Sequence, residues 1–170
     1  MIKPLELTQR IEEIKEILGL QDDNIIISWI PDEFCDVEQY CDYKALYQKE
    51  NNAIFIHPDS LSNYDLSEMT AIVAHELYHA YQYKTEPKLY DTQKKQNYCV
   101  VGMDYVKQPL EMQAYAFQDA IIMLYEEVYV KFELEGVDEK TREEIDILAE
   151  EYYQKYADKF IEVVRRKQIN

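Results

Sequence analysis

The chain has 170 residues, 47% of them hydrophobic, which is enough for one domain with a buried core. Its 34 acidic and 18 basic residues give a formal charge of −16, which repels nucleic acids and anionic lipid surfaces. Charges interrupt the first twenty residues, so no signal-peptide core or membrane span is expected there. We therefore expect a single cytoplasmic domain over residues 1–170, with no nucleic-acid or membrane partner.

The first predicted elements are a helix and a buried strand. Between Pro4 and Gly19, apolar residues recur at helical spacing, and these two residues suit the start and the end of a helix. The apolar run NIIISWI, residues 24–30, is typical of a buried strand. The apolar positions of the helix are Leu7, Ile11, Ile14 and Leu18.

A β-hairpin is predicted next, in residues 44–58. Two strand-like runs there flank a turn centred near Asn51 and Asn52, and asparagine is a common turn residue. We expect the second arm to run from Ala53 to His57, because a proline follows it. His57, a lone histidine at the end of a strand, fits a surface residue or one with a local hydrogen bond better than it fits a metal ligand.

The rest of the chain is predicted to be mainly helical, which makes the fold class α+β. Residues 84–109 have no clear period and are rich in lysine, so we expect a long loop or lid. Two further helices follow, and Thr141 with Glu144 offers a capping box for the second. Their apolar positions are Leu110, Ala114, Phe117, Ile121, Leu124 and Val128, then Ile145, Leu148, Tyr152, Tyr156, Phe160 and Val163.

The segment HELYH, residues 75–79, has the spacing of a metal site on a helix. A capping box of Asp65 and Glu68 precedes it, and nothing from there to residue 82 breaks a helix. His75 and His79 then lie one turn apart on one face, where both imidazoles can bind the same ion. Glu76 is rotated by about 100° from His75, which keeps it from the ion but close to a water beside it.

A zinc site used for hydrolysis needs a third protein ligand, and Glu111 is the candidate. It follows Pro109 at the start of a predicted helix and stands beside the apolar stripe of that helix. Glu111 also fits a different interpretation, an ordinary first-turn acid stabilised by the helix dipole. With His75 and His79 on the preceding helix, we favour a ligand role.

These residues carry a resemblance to a known family. HELYH at residues 75–79, with Glu111, Ala114 and Phe117, resembles a zinc metallopeptidase of the gluzincin type. The compact pattern is similar to that of the ImmA/IrrE-like metallopeptidases associated with phages and mobile elements. The likeness covers residues 53–125.

The resemblance implies both a mechanism and a fold. His75, His79 and Glu111 would hold one Zn²⁺ per chain, and Glu76 would be the general base for hydrolysis of a peptide or protein substrate. The fold would be zincin-like, with a small mixed or antiparallel sheet packed on the active-site helix. In such a fold the strand from Ala53 to His57 would lie beside the cleft and pair with an extended peptide.

This sequence departs from the neighbouring families at three positions. A metzincin would have a glycine and a third histidine where this chain has Gln82 and Thr85, which excludes that branch. Some gluzincins have an aspartate where this chain has Tyr115, so no hydrogen-bond partner of a ligand histidine is identified. Peptide hydrolysis also needs a hydrogen-bond donor for the negative charge that develops on the carbonyl oxygen of the substrate. The sequence does not choose among several tyrosines for this role, including Tyr78, Tyr81, Tyr83, Tyr105 and Tyr115.

Two alternatives to an active peptidase stay open. An acidic, largely helical chain also suits an interaction protein, such as a decoy that mimics nucleic acid. A metal-binding protein without catalysis would carry the same ligands. The cysteines, odd in number and without CxxC spacing, favour free thiols over disulfides or a zinc ribbon: Cys35, Cys41 and Cys99.

Overall fold

The computed structural model describes residues 4–30, 44–97, 105–128, 134 and 137–169. The three cysteines lie outside these ranges, so their free-thiol state stays a prediction. The described elements confirm an α+β fold. In chain order they are α1 Pro4–Leu18, β1 Ile26–Trp29, β2 Ala45–Gln48, β3 Ala53–Ile56, α2 Ser60–Asn63, α3 Leu66–Thr85, α4 Pro87–Asn97, α5 Pro109–Glu126 and α6 Glu139–Ile169.

The sheet is mixed, and its order is β1-β3-β2. β3 pairs in parallel with β1 and antiparallel with β2, so both edges of β3 are occupied. The predicted hairpin is confirmed, but the prediction that a peptide adds to the strand from Ala53 to His57 is wrong. Among the described strands, β2 pairs on one side only and contacts α3, the helix that carries His75 and His79.

β1 is less buried than its apolar sequence predicts. Ile26 is 58% exposed and Trp29 is 47% exposed, because the strand pairs with β3 alone among the described strands. An apolar run of this length does not distinguish a central strand from an edge strand, since the order of strands is set by tertiary contacts.

α3 lies at the centre of the helices. It contacts α1, α4, α5 and β2, while α6 packs on α5 and α1. Phe117 of α5 stacks on Tyr78 of α3 and meets Tyr156 of α6 edge-on, so one ring joins three helices. The larger fully buried side chains of this core cluster include Ile14, Ile17, Met69, Leu77, Phe117 and Ile121.

The ends of α1 and α6 show how local signals place the helices. α1 ends as predicted at Gly19, whose φ of +72° is in the left-handed region that favours glycine. α6 begins earlier than predicted: the carboxylate of Asp138 accepts the backbone N–H of Thr141, so Asp138 is the cap. Thr141 therefore lies inside the first turn instead of preceding it.

Two further expectations need correction. Residues 87–97, predicted as part of a long loop, form the polar helix α4, which begins at a proline suited to a first helical turn. Val128 is exposed beyond the end of α5, because Glu127 takes a left-handed conformation with φ 54° and stops the helix. Within the described residues, no helix is both long and apolar enough to span a membrane.

Candidate metal centre

The helix that carries the histidines begins as the sequence predicts. The carboxylate of Asp65 accepts the backbone N–H of Glu68, and the Glu68 side chain accepts the backbone N–H of Asp65. This reciprocal cap fixes the start of α3. One turn apart and both buried, His75 and His79 face the same side, as the spacing predicts.

Glu111 joins the two histidines from the first turn of α5. Its carboxylate Oε2 lies 3.2 Å from Nε2 of His75 and 3.2 Å from Nε2 of His79, and the two nitrogens are 3.1 Å apart. Glu111 is 0% exposed, whereas an acid stabilised only by the helix dipole has no reason to leave water. The three predicted residues therefore converge into a group that could hold a metal ion.

Gln82 fixes which nitrogen of His79 carries the proton. The amide nitrogen of Gln82 donates to the backbone oxygen of Leu110 at 3.0 Å, and a carbonyl oxygen can only accept. The amide oxygen of Gln82 is therefore the atom 2.8 Å from Nδ1 of His79, and Nδ1 must donate to it. In the neutral ring, Nε2 of His79 then has a lone pair directed at Glu111.

A lone pair and a carboxylate oxygen at hydrogen-bond distance repel each other unless a cation lies between them. A shared proton or a metal ion would relieve that repulsion, and the two would compete for one position. Burial alone would raise the pKa of Glu111, but His79, His75 and Lys94 together hold it well below its ordinary range. The centre therefore presents a carboxylate and an imidazole lone pair to a cation.

His75 is held differently from His79. Within the described residues, its Nδ1 is buried without a hydrogen-bond partner. The ring of Tyr115 packs edge-on against it instead, with ring centroids 4.5 Å apart. The contact of Tyr115 with His75 is therefore ring packing.

Glu76 lies next to the centre without joining it. Its buried carboxylate accepts the backbone N–H of Tyr47 in β2 at 2.7 Å. Burial, helped by the negative charge of Glu111, raises the pKa of Glu76 above its ordinary value. The pKa of Glu111 is therefore lowered and the pKa of Glu76 is raised, so these two neighbouring carboxyl groups differ in how readily they take up a proton.

A cleft of about 240 Å³ opens beside Glu76 and His79. One wall is β2 with the turn that follows it, residues 45–50. Across from it are Tyr90 and Lys94 of α4, together with Tyr105. The edge of β2 that is unpaired among the described strands therefore faces the cleft that Glu76 and His79 line.

The five tyrosines that were candidates for donating a hydrogen bond to the substrate carbonyl oxygen lie in different surroundings. Of these, only Tyr105 lines the cleft among the described residues. Tyr78 stacks on Phe117 and donates to the hydroxyl of Tyr152, while Tyr81 packs on Tyr78. Tyr83 packs on Tyr90, and Tyr115 packs on His75. Burial and the nearby carboxylates raise the pKa of Tyr105, so its hydroxyl stays protonated.

Two residues of the site were missed in the sequence. Gln82 stands three positions after His79 on the same helix, so its proximity could have been read from the helical period. Lys94, whose ammonium lies 2.8 Å from Oε1 of Glu111, gave no local signal. His57 is not part of the centre: its Nδ1 accepts the backbone N–H of Asp59, as expected of a histidine with a local partner.

Comparisons of the chain with protein-family models, curated proteins and solved structures found no match.

Proposed function

We propose that this protein is a zinc-dependent peptidase in which His75, His79 and Glu111 hold the metal and Glu76 is the general base. The observation that carries the proposal is the convergence of the three buried donors, with the lone pair of His79 directed at the carboxylate of Glu111. Two imidazoles and one carboxylate are a donor set that catalytic zinc uses, with a fourth position open for water.

The donor distances agree with zinc. Zinc–nitrogen bonds of about 2.0–2.1 Å place the donors of a tetrahedral site about 3.3–3.4 Å apart. The three donor atoms are separated by 3.1 to 3.2 Å, close to that value. A small outward shift of the side chains would therefore admit the ion.

Zinc held there would polarise the scissile carbonyl group and promote loss of a proton from water. Glu76 would take that proton, since its pKa is raised and its carboxylate borders the cleft. The same group would later deliver the proton to the nitrogen of the leaving amine. The backbone N–H of Tyr47 would hold the carboxylate in place during both transfers.

The free edge of β2 supports a peptide as the substrate. Tyr47 directs its N–H away from β3 towards Glu76, so by alternation Ala45 and Tyr47 direct their backbone groups towards the cleft. Because the N–H of Tyr47 is held by Glu76, an extended peptide would pair as an added strand with the other groups, the N–H of Ala45 and the carbonyl groups of Ala45 and Tyr47. A mixed sheet with an edge strand beside the metal helix is the basis for proposing a zincin-like fold.

Two substitutions separate catalysis from metal binding. Glu76→Gln keeps an oxygen that can accept from Tyr47, so the variant should bind zinc as the parent does. Its cleavage of a peptide library should fall by about 10² to 10⁴. Glu111→Gln should instead weaken zinc binding, because a neutral amide is a poorer ligand than a carboxylate.

The outcomes distinguish the competing functions. Cleavage by Glu76→Gln at the parent rate would refute Glu76 as the base. A parent that holds zinc and cleaves nothing would favour a metal-binding protein without catalysis. A parent that binds no metal would favour the acidic interaction protein.

A further inference from the structure

Lys94 lies beside the candidate metal centre and lines the cleft. Its ammonium is 2.8 Å from Oε1 of Glu111, the carboxylate whose other oxygen faces both histidines. The side chain is partly buried, and it lines the cleft together with Glu76 and His79. A positive group is therefore held at the boundary between the candidate metal centre and the cleft.

Hydrolysis of a peptide places negative charge on the carbonyl oxygen, and a donor beside that oxygen lowers the barrier. Three side chains with proton donors line this side of the cleft: Tyr90 and Lys94 of α4, and Tyr105. Tyr90 is 5% exposed, and its ring packs edge-on against the rings of Tyr83 and His79. The hydroxyl of Tyr105 lies near the carboxylate of Glu111, whose negative charge adds to burial in raising the pKa of Tyr105, and a phenol has only one proton to donate. An ammonium has three N–H groups, so Lys94 can donate to Glu111 and to a second oxygen together.

We propose that Lys94 is a catalytic residue that donates a hydrogen bond to the carbonyl oxygen of the scissile peptide bond. The inference rests on the proposed peptidase function. When the oxygen of water bonds to the carbonyl carbon, the π electron pair moves onto the carbonyl oxygen, where Lys94 stabilises it. Glu76 takes the proton of the water.

When the carbon–nitrogen bond breaks, its electron pair leaves with the nitrogen, which receives the proton from Glu76. The carbonyl double bond forms again, and the charge opposite Lys94 disappears. Lys94 gives up no proton in this sequence. Its contact with Glu111 keeps the ammonium beside the reacting carbonyl throughout.

The test compares Lys94→Met and Lys94→Arg with a matched control, Lys88→Met. Lys88→Met changes the net charge by the same amount as Lys94→Met. Lys88 is exposed on the same helix and is not among the residues lining the cleft, so its loss should not affect the site. Zinc is added until every variant is saturated, which removes effects on metal affinity. For a peptide that the parent cleaves, Lys94→Met should lower kcat by about 10² to 10³ with little change in KM.

Lys94→Arg should retain part of the rate, because guanidinium also donates, and Lys88→Met should keep all of it. Tyr105→Phe should lose less than about fivefold, since the carboxylate of Glu111 nearby competes for the single proton of the phenol. A larger loss in Tyr105→Phe than in Lys94→Met would assign the donor to the phenol and overturn the proposal. So would a kcat for Lys94→Met within about threefold of the parent.

A second measurement needs no peptide. Acetohydroxamate, a small anion that binds metal through two oxygens, is titrated into the zinc-loaded proteins by calorimetry. Loss of a charged donor should weaken its binding by about 10- to 100-fold in Lys94→Met and leave Lys88→Met unchanged. If the parent cleaves no peptide, the peptidase function fails while this titration still decides whether Lys94 faces a metal-bound ligand.

Equal acetohydroxamate affinity in the parent and Lys94→Met would overturn the proposal. A Lys94→Met variant that cannot be saturated with zinc would also overturn it. In that case Lys94 would be a positioning residue that acts through Glu111.

Discussion

Replacing Gln82 should weaken metal binding although Gln82 is not a ligand. Its amide oxygen accepts from Nδ1 of His79 at 2.8 Å, and its amide nitrogen donates to Leu110 and Gln113 at 3.0 Å each. Gln82→Leu removes the acceptor that fixes the tautomer of His79. Loss of such a partner lowers metal affinity by about 10- to 100-fold, which corresponds to about 1.4–2.8 kcal/mol.

Competition with a chelator of known zinc affinity measures this effect. Gln113→Ala is the matched control, because it removes one partner of Gln82 and leaves the contact with His79 intact. The control should bind zinc within about threefold of the parent. Circular dichroism of the metal-free proteins checks that the helices are retained. A folded Gln82→Leu protein with the zinc affinity of the parent would refute the role assigned to Gln82.

Three further predictions concern the fold. Phe117→Ala should lower the free energy of unfolding by about 3–5 kcal/mol in urea titrations, because its buried ring joins three helices, and a loss below 1 kcal/mol would contradict this. Asp65→Ala should cost about 1 kcal/mol in the same assay through loss of the α3 cap, whereas an unchanged midpoint would exclude the cap. The hydrogen bond from Lys107, helped by the backbone N–H of Thr141, lowers the pKa of Asp138 from 3.8 to about 2. The ionised Asp138 carboxylate therefore stabilises the fold above pH 3.8, and this contribution is lost as the pH falls through about 2. An NMR titration of the Asp138 carboxyl carbon should show a midpoint near pH 2, and Lys107→Met should return it towards 3.8.

The features predicted correctly from the sequence are those set by local interactions. The cap of α3 needs only Asp65 and Glu68, three residues apart, and the helical period then places His75 and His79 on one face. The position of Glu111 beside the apolar stripe of α5 follows from the same period. The approach of α3 to α5 depends on tertiary contacts. It could still be predicted, because a catalytic zinc site needs a third protein ligand.

The features predicted incorrectly depend on contacts between distant parts of the chain. Nothing local in the hairpin tells which arm lies inside the sheet, because that depends on the parallel pairing of β1 with β3. The helix α4 was missed because it is mostly polar and buries few apolar side chains, so its period is weak. Lys94 was missed with it, since its partner Glu111 lies on another helix.

The metal content of the parent protein tests the site most directly. Elemental analysis of protein purified without chelator at neutral pH should give one zinc per chain, and His79→Ala should give none. A folded parent without bound metal, which also fails to take up added zinc, would contradict the proposed centre. Zinc retained in full by His79→Ala would place the ligands elsewhere in the chain.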